Sequence, residues 1–292
     1  MARSAHPMRF GFHLPIRYGV AKVPALARKL GCKTVQLFSR SPRMWRPTMQ
    51  SEEALAAMRE GLCALGVAPV ALHTIYLVNL ASPDKKLWEM SLDALAEELR
   101  RAPLFGAQFV VTHLGSAGGD SLAAGLKRAA RAVRRALDCC DAHVRLLLEN
   151  SAGSGNIVGA RFAELAEVFA LADDPRLGLC FDTAHAFASG YNVASATGLR
   201  ETLAEIDREI GLARLLLVHL NDSKAPLGSR IDRHAHIGQG EIGPTGLGRI
   251  VCHPRLRRLP FIMETPIDHP GDDLRNMRRL RAIVRRMEGR AR

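Results

Sequence analysis

No run in the 292-residue chain approaches the roughly 18 consecutive apolar residues that a membrane span requires. The opening stretch, Met1-Ala2-Arg3-Ser4-Ala5-His6-Pro7, also lacks the apolar core of a signal peptide, so a cytoplasmic protein is expected. Cys-x-x-Cys spacing is absent from the six cysteines, Cys32, Cys63, Cys139, Cys140, Cys180 and Cys252, which argues against a zinc ribbon or a redox pair. Most of these thiols are expected to be reduced and buried. Acidic residues are in deficit, 29 against 41 Lys and Arg, and the resulting net charge of +12 favours polyanionic partners such as nucleic acid. Disorder is excluded by 47% apolar and 24% charged residues, enough apolar content to bury a sizeable core.

What is present is an alternation. Eight short β-rich runs occur at Arg9–His13, Thr34–Phe38, Pro69–His73, Gln108–His113, Val144–Glu149, Leu177–Asp182, Leu215–His219 and Phe261–Glu264, apolar as strands buried on both faces are. Helical patterns lie between them, among them Val23–Leu30, Glu52–Leu65, Lys86–Pro103, Leu122–Cys140, Phe162–Leu171 and Thr197–Ile210. Gly31, Gly66, Gly106 and Gly211 stand where helix C-caps favour glycine. This pattern predicts one α/β domain, a (β/α)8 TIM barrel, with residues 1–8 as an N-terminal extension. An open doubly wound sheet would carry a Gly-rich phosphate loop after its first strand, and Phe12-His13-Leu14-Pro15-Ile16 is not one. The segment 272–292 reads as an amphipathic terminal helix with a solvated basic face, eight arginines falling between Arg275 and Arg292.

Six consecutive strands, the third to the eighth, end in a metal-capable side chain: His73, His113, Glu149, Asp182, His219 and Glu264. In a barrel these ends meet at the C-terminal mouth. One such residue would be an ordinary polar cap; six together need their charges and lone pairs answered, and a cation answers them at once. His185, three residues after Asp182, and the pair Asp232 and His234, which alternation in an extended segment places on one side, complete the set. Imidazole and carboxylate without thiolate suit zinc, or manganese in one or more sites. Nine ligands exceed one tetrahedral site, so two or three ions are expected.

The stretches His73-Thr-Ile-Tyr76-Leu77-Val-Asn79, Leu148-Glu149-Asn150, Phe181-Asp182-Thr-Ala-His185, His219-Leu-Asn221-Asp-Ser-Lys224, Asp232-Arg-His234 and Glu264-Thr-Pro266 closely resemble endonuclease IV, the apurinic/apyrimidinic endonuclease family of type 2. The resemblance runs from about residue 9 to residue 285 and fills all nine metal positions of that family. It implies three zinc ions: His73, His113 and Glu149 at the first; Glu149, Asp182, His219 and Glu264 at the second; His185, Asp232 and His234 at the third. Glu149, bridging two ions, and Glu264 would be the catalytic carboxylates, with water as nucleophile. The implied reaction is a nick 5′ to an abasic site in duplex DNA, leaving a 3′-hydroxyl and a 5′-deoxyribose phosphate, together with trimming of blocked 3′ ends by a monomer acting on nucleoid DNA.

A lesion without a base rotates out of the stack at low cost, and a pocket too small for a base rejects normal DNA. By the same resemblance Arg43, in Pro42-Arg43-Met44-Trp45, and Tyr76 with Leu77 enter the duplex; loop packing is the alternative for the latter two. Lys224 and Arg233, beside ligands, are expected at phosphates. Three stretches depart from the family. Met44 replaces a polar Gln of some relatives; Ala235-His236 replaces Glu-Asn, with His236 either an additional donor behind the ligands or, the favoured reading, exposed; and His13-Leu14-Pro15-Ile16 replaces the usual His-Val-Ser, which leaves His13 without an assigned role. The competing reading is a single-metal TIM-barrel sugar isomerase or epimerase, which needs Glu149, Asp182, His219 and Glu264 and leaves the other five ligands unexplained.

Overall fold

In the computed structural model, residues 8–140 and 143–290 are described; the expected N-terminal extension, apart from Met8, and the last two residues of the expected terminal helix lie outside them. Eight parallel strands close a barrel: β1 (Arg9–Leu14), β2 (Thr34–Phe38), β3 (Val70–His73), β4 (Phe109–Thr112), β5 (Arg145–Glu149), β6 (Leu177–Asp182), β7 (Leu215–His219) and, after a short hairpin of β8 (Asp222–Ser223) and β9 (His234–Ala235), β10 (Pro260–Met263). The neighbour order is β1-β10-β7-β6-β5-β4-β3-β2, so every β-rich run of the sequence is a barrel strand. His113 and Glu264 stand one residue past their strands.

Strand alternation explains where the chemistry points. Ala71, Val111, Leu147, Cys180, Leu217 and Ile262 are fully buried and pack together as a cluster separate from the larger core between barrel and helices. Each lies two residues before one of the six strand-end ligands, and residues two apart share a face. An apolar layer inside the barrel thus supports a polar layer at its mouth. At Gly11 in β1 a Cβ would strike the backbone carbonyl of Thr34 in β2, so this close approach requires glycine.

Outside the barrel run α1 (Val23–Leu30), α2 (Glu52–Ala64), α3 (Lys85–Arg101), α4 (Leu122–Asp138), α5 (Phe162–Ala172), α6 (Thr183–Ser189), α7 (Ala196–Glu209), α8 (Gly243–Cys252) and α9 (Asp272–Arg290). Ser51, Asp84 and Ser121 cap α2, α3 and α4 through side chains that accept a backbone N–H three residues on. Gly31 ends α1 at φ 69°, in the left-handed region that glycine tolerates. α6 and α8 are absent from the sequence reading for opposite reasons. α6 has six of its seven residues buried and so no amphipathic period, while α8 reads Gly-Pro-Thr-Gly-Leu-Gly, poor in helix formers.

One expectation needs correction. Only Cys32 and Cys180 are buried; Cys63 and Cys139 are exposed, with Cys140 and Cys252 between. The arginine-rich helix α9 buries Met277 and Leu280 and runs away from the mouth: Arg281 donates to the carbonyl of Gly31, at the end of α1, and Arg257, in the turn before β10, pairs with Glu288. Its basic end therefore sits at the base of the barrel. No described helix is long and apolar enough to cross a membrane.

Candidate metal centre

The strand ends bring ligand atoms together in overlapping groups. His73, His113 and Glu149 form one; Glu149, Asp182, His219 and Glu264 form a second; Asp182, His185 and His234 form a third, with all ligand atoms of each group within 4.8 Å of one another. Glu149 belongs to two of them. Its Oε2 lies 3.1 Å from His73 Nε2 and 3.4 Å from His113 Nε2, while Oε1 lies 3.0 Å from His219 Nδ1 and 3.2 Å from His185 Nδ1. Asp232 closes the third group from outside, 3.3 Å from both His185 Nε2 and His234 Nε2. The expected pairing of Asp232 and His234 on one side of an extended segment is what the hairpin produces, His234 being held in β9 opposite Ser223. Cys180 also approaches Glu149 and His219, a thiol that the ligand reading had left to the core; burial pushes it up to about 12 and keeps it protonated.

The imidazoles are oriented by fixed acceptors. His73 Nδ1–H donates to the carbonyl of Thr74 (2.7 Å), His185 Nδ1–H to that of Asn150 (3.0 Å) and His234 Nδ1–H to that of Glu264 (2.8 Å). In the neutral ring each commitment leaves Nε2 free to bind a cation, the arrangement that metal-binding histidines use. His219 is turned the other way, with Nε2–H donating to Gln36 Oε1 at 2.9 Å and Nδ1 facing the carboxylates. Asn150 and Asn221 brace the acids. Asn150 exchanges two hydrogen bonds with the Asp182 backbone, and Asn221 donates to Asp182 Oδ2 and Glu264 Oε2.

This donor set fits divalent cations. Two buried carboxylates, Glu149 and Asp182, share a space with the partly buried Glu264; among the described residues no Lys or Arg pairs with them, and only imidazolium protons answer their charge. Although burial opposes ionisation, the surrounding imidazoles hold the Glu149 and Glu264 carboxyls well below the usual range. Burial also opposes charge on His234, yet hydrogen bonding to Asp232 lifts its ring to about 9. His234 Nε2 is buried and, among the described residues, has only the Asp232 carboxylate, 3.3 Å away, to meet.

Around the mouth, loops that follow the barrel strands expose Tyr18, Met44, Met49, Tyr76, Leu227, Ile231 and Ile267. Tyr76 is 67% exposed and stands edge-on against Phe38, with ring centroids 5.2 Å apart. Leu77 is half-buried against the core and supports that loop from beneath. Arg43 is exposed beside it, and Tyr76 N–H donates to the Pro42 carbonyl, tying the two loops together. The loop carrying Arg43 and Met44 is anchored below by charge: Arg40 donates to the Trp45 carbonyl and to Glu98 of α3, the side chains of Arg40 and Glu98 being 2% exposed, and Arg101 donates to the carbonyls of Ser39 and Thr48. Lys224 and Arg233 are exposed, and Lys224 N–H donates to the Arg233 carbonyl across the hairpin.

Three residues read otherwise from the sequence. His236 is half-buried, not exposed: its Nε2 lies 3.3 Å from Asp268, and Asn276 packs against its Nδ1 at 3.1 Å. His13, without a role in the sequence, lies 3.3 Å from Glu264 Oε1 and 2.9 Å from Gln36 Nε2. Gln36 went unnoticed; the signal available was a polar residue in the inward register of an otherwise apolar strand.

Comparison with known proteins agrees with this geometry. A family model described as a xylose isomerase-like TIM barrel matches residues 24–286. A probable endonuclease 4 of Methanoculleus marisnigri is 44% identical over 94% of this chain and 98% of its own length, and an endonuclease 4 of Thermus thermophilus is 45% identical over 94% and 97%. A crystal structure of endonuclease IV from another Thermus thermophilus strain superposes with a TM-score of 0.85 at 42% identity, covering 95% of this chain and 99% of that one. A D-tagatose 3-epimerase-like protein shares the fold with a TM-score of 0.72 at only 16% identity. With identity above 40% across nearly the whole length, the chain belongs to the endonuclease IV family of class II apurinic/apyrimidinic endonucleases.

Proposed function

We propose that this protein hydrolyses the phosphodiester 5′ to abasic sites in duplex DNA, leaving a 3′-hydroxyl and a 5′-deoxyribose phosphate, and trims blocked 3′ ends. The observation that carries the proposal is the convergence of nine imidazole and carboxylate residues into overlapping groups at one barrel mouth. Five of the nine lie beyond the four that a single-metal isomerase would use, which supports more than one ion. We assign His73, His113 and Glu149 to one zinc ion, Glu149, Asp182, His219 and Glu264 to a second, and His185, Asp232 and His234 to a third, with Asp182 near enough to contribute; manganese could replace zinc in one or more. When bound, such ions supply Lewis acidity toward phosphate oxygens and a nucleophile from water at neutral pH.

The chain's own residues perform the remaining tasks. Glu149 couples two ligand groups, so their spacing is set by one side chain. Glu264 extends from beyond β10, where Gln36 and Asn221 hold its two oxygens apart. Tyr76, Met44 and Arg43 stand above the mouth, positioned to fill the gap left by a missing base and to contact phosphate, while Lys224 and Arg233 offer charge on the opposite hairpin. Every ligand comes from one chain, which supports action as a monomer, and the +12 charge suits nucleoid DNA in the cytoplasm.

A labelled duplex with one tetrahydrofuran abasic analogue tests the reading. The analogue has no aldehyde for a lyase, so a nick on its 5′ side bearing a 3′-hydroxyl is the expected product. Absence of a nick in zinc-loaded protein would refute the assignment and return the sugar-isomerase reading.

A further inference from the structure

Gln36 occupies the middle of β2, fully buried, at a position for which the metal groups have no use as a ligand. Its register places it inward: it pairs with His13 of β1 and with Ala71 of β3, the latter part of the apolar layer inside the barrel. A primary amide there makes three hydrogen bonds. Nε2 donates to Glu264 Oε1 at 2.8 Å and to His13 Nδ1 at 2.9 Å, and Oε1 accepts from His219 Nε2 at 2.9 Å.

The two ends of an amide differ in chemistry, and here only one orientation is consistent. An ionised Glu264 oxygen only accepts, so the NH2 group must face it; turning the amide over would set oxygen against oxygen in a buried space. Once that end is fixed, the carbonyl must face His219. A carbonyl only accepts, so the proton of His219 must reside on Nε2, and the nitrogen left for a cation is Nδ1, 3.0 Å from Glu149 and 3.4 Å from Glu264. The other oriented histidines use backbone carbonyls for this purpose and expose Nε2. His219 alone depends on a side chain, and on the opposite ring nitrogen.

We infer that Gln36 is a positioning residue which sets the tautomer and ring orientation of His219, and through its second hydrogen bond the direction of the Glu264 carboxylate, for the ion held by Glu149, Asp182, His219 and Glu264. The inference rests on the multi-ion reading of the site, but not on the identity of the DNA lesion. Loss of such an outer partner lowers metal affinity by about 10–100-fold, and only at the ion concerned.

The test titrates full-length protein between zinc-loaded and zinc-free states against a chromophoric chelator, comparing wild type with Gln36→Met, which is similar in length but has neither donor nor acceptor. The expected result is one zinc ion per chain held about 10–100-fold more weakly, with the remaining ions unchanged. Long-range 1H–15N spectra of the zinc-loaded protein should show His219 protonated on Nε2 and bound through Nδ1 in the wild type, and losing that arrangement in Gln36→Met. Gln36→Leu, which also removes both donor and acceptor, serves if the Met variant does not fold. Equal weakening of every ion, or unchanged affinity and tautomer, would overturn the inference. Wild-type cleavage of the tetrahydrofuran duplex is measured in parallel; its absence would refute the endonuclease reading while leaving the tautomer result to decide on Gln36.

Discussion

Replacing Glu149 by Gln should abolish most catalysis while leaving the fold and much of the DNA binding in place. The two carboxylate oxygens face different imidazole pairs, Oε2 toward His73 and His113, Oε1 toward His219 and His185. Gln has the same shape but no charge and one oxygen, so both ligand groups lose their anion and, whichever way the amide turns, one of them meets an N–H donor. Losing the Lewis-acid contribution of one ion costs several kcal/mol. A loss of about 4 kcal/mol, at about 1.36 kcal/mol per tenfold, corresponds to a fall on the order of 10³-fold in the chemical step. The assay is single-turnover nicking of the tetrahydrofuran duplex, with zinc content, circular dichroism and equilibrium binding measured on the same preparation. Binding should remain within about tenfold of wild type, because the residues proposed to meet DNA lie in the loops above the site. Turnover within tenfold of wild type in fully loaded variant protein would refute the bridging role of Glu149.

Tyr76→Ala should reduce discrimination between abasic and intact duplex more than it reduces total affinity, since the ring is exposed and rests on Phe38 without holding the core; competition binding with both duplexes checks this, and equal losses would remove Tyr76 from lesion recognition. Glu98→Ala and Glu98→Gln both remove the charge that answers the buried guanidinium of Arg40 and should each cost about 3–5 kcal/mol, the Gln variant somewhat less because it keeps an acceptor, as read from thermal midpoints; a Glu98→Gln protein as stable as wild type would mean that charge does not anchor the Arg43 loop. Alkylation of the native protein at pH 8 should modify Cys63 and Cys139 and spare Cys32 and Cys180, whose thiols burial pushes up to about 12; labelling of Cys180 before unfolding would contradict the closed interior layer.

All eight barrel strands were legible from the sequence because each is a short apolar run bounded by loops, and parallel strands covered on both faces carry that signature. Six of the nine metal-capable residues were legible for a related reason: a polar or charged group at the end of an apolar strand stands out against its neighbours, whereas His185, Asp232 and His234 were added by spacing and by resemblance. The helices were legible only where one face met water. α6, buried almost all round, and the glycine-rich α8 gave no period to read. His236 was misread because its partners, Asp268 and Asn276, lie 32 and 40 positions away, and such distance in sequence says nothing about burial.

The amino-acid sequence by itself determined the strand count and the set of metal-capable residues, six of them at strand ends, since these follow from local hydrophobic pattern and from residue type. Only the tertiary structure decided which oxygen of Glu149 faces which imidazole pair, that Gln36 and His13 complete the ring around Glu264, and that the arginine-rich helix ends at the base, away from the mouth. These depend on barrel closure and on the register between strands far apart in the chain, a cooperative property of packing that no single segment encodes.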